Sequence, residues 1–226
     1  MRGVKGIWKI DMLQNDSPVR RARGRPQIRS DEETRHLLVE AAAQEFKASG
    51  YAGTCMGTVA QRAGVSTKTL YRLIPTKAEL FTKVIADRIC QFMLNVDEEK
   101  LSGLGLNEAL ERILVAFGDL TLNEETIALN RLVIGECERF PEIATVFYES
   151  AILRVSVAMK DWLTRQSRNG LLRLEDPTAA TSMLRGMMIM DLQRAAMLGQ
   201  RPPPDDAEIA ARAKACAQIF LDGCRA

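Results

Sequence analysis

From Ser30 onward the apolar residues of this 226-residue chain recur every three or four positions, and strand-like alternation is missing. That period places side chains along one stripe of a helix, whereas a half-buried strand needs a period of two. The chain is therefore expected to be all-α, with about nine helices. The signals that start and stop helices agree. Ser30-Asp31-Glu32-Glu33 is a capping box, and Leu38, Ala41, Ala42 and Phe46 then share one face up to Gly50, which ends the helix. Two short helices follow, at 56–62 and 66–73, separated by Gly64. Pro75 breaks the chain, and Thr76-Lys77-Ala78-Glu79 is a second capping box that opens a long helix. Further helices are predicted near 104–122, 124–139, 142–169, 177–199 and 206–224, with loops at Asn169-Gly170 and Pro202-Pro203-Pro204.

Composition removes several function classes. Hydrophobic residues at 46% can fill a core, and no apolar run approaches the roughly 20 residues of a membrane-spanning helix. Lys5, Lys9 and Asp11 interrupt the first residues before a secretory leader can form, so a cytoplasmic protein without membrane attachment is expected. Five cysteines without a Cys-x-x-Cys pair argue against a disulfide framework or a thiolate zinc site. The single histidine, His36, leaves little room for a catalytic triad or a multi-histidine metal site. Phosphate-cradling glycine motifs are missing as well. No metal, cofactor or catalytic residue is expected, and an enzyme is the weaker class.

Charge is divided unevenly along the chain. Residues 1–77 carry 14 Lys/Arg against 7 Asp/Glu, and residues 78–226 carry 17 against 22. A basic N-terminal third points to a polyanionic partner at that end. Residues 1–29 read as a flexible basic arm in which Arg23-Gly24-Arg25-Pro26 has the form of a minor-groove hook. The paired helices at 56–62 and 66–73, joined by Ala63-Gly64-Val65-Ser66, match a helix-turn-helix around Val59, Ala60, Val65 and Leu70. The second helix of this motif enters the major groove, and here it offers Thr67, Lys68, Thr69, Tyr71 and Arg72.

Several stretches at fixed spacing carry a resemblance. Gly50 through Met56, Val59-Ala60, Ala63 through Ser66, Thr69 through Arg72, Pro75-Thr76-Lys77 and Glu79-Leu80-Phe81 together resemble the N-terminal domain of TetR/AcrR-family transcriptional regulators. Arg131 through Glu136, Phe140-Pro141-Glu142 and Phe147-Tyr148-Glu149 resemble the C-terminal domain of the AefR-like branch. The resemblance implies a homodimer on a palindromic double-stranded operator, an effector pocket in the C-terminal bundle, and repression. It also implies that Thr67, Lys68, Thr69 and Arg72 read bases or clasp phosphate, and that Tyr71 and Lys77 touch phosphate. Cys55 stands where the family has Ser or Thr, and Ile74 where Phe is common.

The expected organisation is an arm at 1–29, a helix-turn-helix domain at 30–78 and a ligand-binding and dimerisation domain at 79–226. Candidate pocket residues are Phe117, Arg131, Glu136, Phe140, Phe147, Tyr148, Trp162, Met187, Met190 and Asp191, with Gln193 a further polar anchor. The last two helices carry small and apolar faces, which makes Met183, Leu184, Ala213, Ala217 and Phe220 the expected dimer seam. The function expected is a repressor released from its operator by a small, largely apolar ligand. The alternative is a helical small-molecule-binding protein or enzyme with an incidental basic N-terminus.

Overall fold

The computed structural model describes residues 29–224. The first helix, α1 (Asp31–Gly53), starts immediately after Ser30, with three acidic residues in its first turn, where the helix dipole favours them. Leu38, Ala41, Ala42 and Phe46 form its buried face, as the period requires. Short helices α2 (Met56–Arg62) and α3 (Thr67–Leu73) close a small core around Val59, Ala60 and Leu70. Gly64, at φ 67°, makes the reversal between them. The Ser66 hydroxyl caps α3 by accepting from Thr69 N at 3.1 Å, and the Thr76 hydroxyl caps α4 (Lys77–Asn95) by accepting from Glu79 N at 3.1 Å.

After α4 come a four-residue turn, α5 (Glu98–Leu101), and then α6 (Leu106–Leu122) and α7 (Glu124–Glu136). The helix expected over 142–169 is continuous but not uniform. It runs as α8 (Pro141–Phe147), a π-helical turn (Tyr148–Leu153) and α9 (Arg154–Arg168). Helices α10 (Pro177–Met197) and α11 (Asp206–Cys224) complete the bundle. Taking α8, the π turn and α9 as one rod and leaving α5 aside, nine helices are present among the described residues, and the fold is all-α. Helices α6 and α11 pack closely because Gly118 has no side chain. A Cβ there would lie 2.6 Å from Ile209 Cγ2 and 2.9 Å from Met188 Cε.

One joint ties the helix-turn-helix to the bundle. At the bend in α1, Gly50 has φ 69° and ψ 177°, a conformation open only to glycine. Beyond it, the backbone N–H groups of Tyr51 and Ala52 donate to the Glu136 carboxylate at 2.9 and 2.8 Å. A Cβ on residue 50 would stand 2.6 Å from Glu136 Oε1. In the same segment, Lys77 Nζ donates to the carbonyls of Tyr51 at 2.7 Å and Thr54 at 3.1 Å. It also lies 4.7 Å from the centre of the Tyr51 ring. That buried ring contacts Phe46, Phe81 and Phe140 with centroids 5.2 to 5.7 Å apart. Burial, and next the carboxylate of Glu142, push the Tyr51 phenol above its ordinary pKa.

Two substitutions test this joint. Gly50→Ala should destabilise the protein by about 1–3 kcal/mol, since alanine must adopt a sparsely populated conformation and displace the carboxylate. Glu136→Ala should cost about 1–3 kcal/mol through the two N–H groups it leaves without an acceptor. Urea unfolding of both variants measures this, and a Gly50→Ala protein as stable as wild type would contradict the geometry.

Candidate nucleic-acid interface and ligand cavity

The inner face of α3 is fixed by Leu70 and Leu73, both buried. This turns Thr67, Lys68, Tyr71 and Arg72 outward, all exposed, with Thr69 half-buried beside its cap. Tyr71 is 51% exposed, which is high for a tyrosine on so short a helix. Arg72 is not idle: its guanidinium donates to both oxygens of Asp31 at 2.8 and 2.7 Å. Those bonds raise its pKa above the ordinary arginine value. Cys55 occupies the N-cap of α2 without a capping bond, as its substitution for Ser or Thr predicts. The dipoles of the nearby Gly57 and Thr58 amides, without closing a cap, lower the pKa of its exposed thiol.

Lys77 stands in the first turn of α4, at the helix N-terminus where the sequence places it, and within the chain its ammonium donates to the carbonyls that close α1. Arg23 and Arg25 lie outside the described residues.

In the bundle a cavity of about 120 Å³ lies between α4, α6, α7, α10 and the π turn. Two of the expected pocket residues, Phe117 and Phe147, line it, and so does Gln193. The others do not. Arg131 donates to the carbonyls of Met197 at 2.7 Å and Ala196 at 2.5 Å, closing the end of α10. Glu136 and Phe140 belong to the joint with α1. Trp162 is buried on α9 away from the cavity, and Tyr148, Met190 and Asp191 are exposed. Met187 is half-buried and offers its carbonyl to Arg212. Helical spacing located the apolar stripes but not which stripe faces which neighbour.

Sequence reasoning missed Thr126 and Arg185, the polar residues that matter most to the cavity. A signal existed: Arg185, Ile189 and Gln193 are spaced i, i+4, i+8, so a cation shares a stripe with an apolar residue. Arg185 Nη1 donates to the Ser156 hydroxyl at 2.5 Å, and the guanidinium lies 5.5 Å from the centre of the Phe117 ring. Burial pulls its pKa below the ordinary arginine value. A wider cleft of about 950 Å³ opens between α1, α4, α6 and α7, and paired charges cross it. These are Lys47 with Glu124 at 2.9 Å and Arg88 with Glu125.

The expected seam also needs correction. Leu184, Ala213, Ala217 and Phe220 are buried within the chain's own core and have no surface to offer a second copy. Met183, at 67% exposed, is the one expected residue that faces outward. Beside it α10 exposes Met190, and α11 exposes Ala211, Ala215 and Ile219 at i, i+4, i+8. Both faces of these helices are small and apolar, so composition could not tell inner from outer. Among the described residues no helix is long and apolar enough to cross a membrane.

Comparison with known proteins agrees with this architecture. The family profile "Bacterial regulatory proteins, tetR family" matches residues 38–84, and "AefR-like transcriptional repressor, C-terminal domain" matches residues 108–224. The HTH-type transcriptional regulator TtgR of Pseudomonas putida is 27% identical over 162 residues, which cover 67% of this chain and 75% of that protein. The HTH-type regulator YhgD of Bacillus subtilis is 24% identical over 135 residues, covering 60% of this chain and 68% of that one. A TetR-family regulator from Mesorhizobium loti superposes with a TM-score of 0.75 at 24% identity, covering 88% of this chain and all of that one. The flavonoid-responsive regulator FrrA superposes with a TM-score of 0.68 at 27% identity, covering 86% and 98%. With two profiles spanning most of the described residues and meeting the helix-turn-helix and bundle where the structure places them, the chain belongs to the TetR family of transcriptional regulators, which act by binding DNA and are not enzymes.

Proposed function

We propose that this regulator is a cytoplasmic homodimeric repressor that a small, largely apolar ligand releases from a palindromic operator. The observation that carries this reading is the course of α4. Leu80 and Phe81, near its start, are buried in the core around the helix-turn-helix, while Ile85, Arg88 and Ile89, one to two turns later, line the bundle cavity. A ligand beside Ile85 and Ile89 therefore touches the same helix that packs against α1 of the DNA-binding half. The relative FrrA is described as flavonoid-responsive, and this favours a small organic effector here too. In this reading residues 30–78 read DNA and residues 79–226 bind ligand and pair.

The dimer would form through the outward faces of α10 and α11, around Met183, Met190 and Ile219. Two recognition helices held by that seam must sit one DNA turn apart, about 34–36 Å, to enter successive major grooves. Ligand shifts the population of that arrangement only by its differential affinity for the two conformers.

A gel shift with DNA from upstream of the protein's own gene tests binding. Thr67→Ala and Lys68→Ala should change the preferred operator sequence or weaken it, each base contact being worth about 1–3 kcal/mol. Unchanged binding in both would remove α3 from the interface. Lys77→Ala should lower the melting temperature, since it strips three carbonyls of a charged donor.

The seam is tested by Ile219→Glu. This variant should remain folded but become monomeric in light scattering, and it should lose the full palindrome. Ala217→Glu, two residues earlier on the opposite and fully buried face, should instead unfold the chain. A monomeric Ile219→Glu protein that binds the palindrome normally would break the link between pairing and DNA binding.

A further inference from the structure

Two residues that line the cavity each carry a buried polar atom without a partner, Thr126 Oγ1 on α7 and Arg185 Nε on α10. Buried polar groups are ordinarily paired, and each exception needs a cause. Thr126 is 8% exposed, and Arg185 is half-buried with its Nε shielded from solvent. The Arg185 guanidinium has a neutral hydroxyl and an aromatic face as neighbours, and among the described residues no carboxylate pairs with it. Arg88, the other cation in the wall, is already paired with Glu125. The cavity therefore holds one uncompensated, immobilised cation and one unmatched hydroxyl in walls that are otherwise mainly apolar, including Phe117, Phe147, Ile89 and Ile152.

We propose that the effector is a small aromatic monocarboxylate whose carboxylate pairs with Arg185 and one of whose oxygens takes the Thr126 hydroxyl. This rests on the cavity being the effector site, as argued above. The charge of the ligand follows from the cation: a neutral molecule would leave the guanidinium without a counter-charge in a low-dielectric wall, where opposite charge is favoured most. Its planarity follows from Phe117 and Phe147, and its size from the volume. About 120 Å³ is close to the roughly 150 Å³ of an apolar cavity known to hold benzene, which suits a single ring. Arginine suits the task because its Nε and Nη donors form a planar fork that matches a carboxylate.

Calorimetric titration of the full chain without DNA tests the proposal, with benzoate, benzamide, toluene and 2-naphthoate as probes. Benzoate should bind at least about 10-fold more tightly than benzamide, and 2-naphthoate should bind weakly. Arg185→Met should lose about 10-fold or more for benzoate while keeping or improving toluene. Thr126→Val should weaken benzoate several-fold yet raise the melting temperature of the free protein, because it deletes an unmatched hydroxyl without changing shape. That second variant stands if Arg185→Met fails to fold. Benzamide binding as tightly as benzoate, unchanged benzoate affinity in either variant, or no benzoate binding at all overturns the proposal. Operator release is read separately by gel shift. Benzoate binding without release refutes the repressor mechanism but not the ligand assignment, and release by an uncharged ligand with no benzoate binding does the reverse.

Discussion

The Glu136 carboxylate, seated on the N–H groups of Tyr51 and Ala52, is the contact on which the arrangement of the two halves depends. It works only because residue 50 is glycine, both for the backbone angles and for the missing Cβ. The two N–H groups would otherwise lack an acceptor at the end of a helix segment. Lys77 supplies the opposite charge to the carbonyls of the same bend, so donor and acceptor groups of α1 are each closed by a charged side chain from elsewhere in the fold. Phe140 then adds an aromatic face from the bundle to the ring cluster of the helix-turn-helix.

Helix α7 consequently holds α1 at two places. Glu124 in its first turn pairs with Lys47, and Glu136 in its last turn holds the bend. The two contacts differ in strength. Lys47 and Glu124 are exposed, and such a pair contributes little in salt. The Glu136 contact is part-buried and made to rigid backbone, so it is the fulcrum and the Lys47 pair is the adjustable end. Thr126 sits two residues beyond Glu124 on the same helix, which places the cavity next to that adjustable end. Side chains that line the cavity and side chains that hold the DNA-binding half are thus on one element, and a small tilt of α7 would be felt by both.

Local signals in the sequence were faithful, and long-range ones were not. Ser66, Thr76 and Gly64 act within one turn of themselves, and all three behave as their residue types predict. The buried stripe of α1 was legible for the same reason, since Leu38, Ala42 and Phe46 have clearly polar neighbours on the opposite face. The carbonyl partners of Lys77 were not legible because a lysine at a helix N-terminus looks the same whether or not it reaches a carbonyl 25 residues earlier. On α10 the apolar residues encircle the helix, so periodicity has no contrast to report, and Leu184 and Met183 could not be told apart. Arg185 was overlooked because a lone cation among methionines reads as surface, and only the fold turns it inward.

The π turn shows how the cavity and its cation are held together. An i→i+5 turn brings residues five apart onto one face, which an α-helix does not do. Here it allows Phe147 and Ile152 to line the cavity together, with Val155 continuing the wall into α9. The widened turn is secured where it ends. Ser156 donates its hydroxyl proton to the carbonyl of Ile152 at 2.7 Å, and the same oxygen accepts from Arg185 Nη1 at 2.5 Å. One serine thus fixes both the irregular backbone that shapes the cavity and the orientation of the guanidinium that faces it. With Nη1 anchored in this way, Nε is left without a partner within the chain. The unmatched atom is therefore the remaining valence of a side chain already locked in place, and a preorganised donor of that kind loses little entropy when a carboxylate arrives.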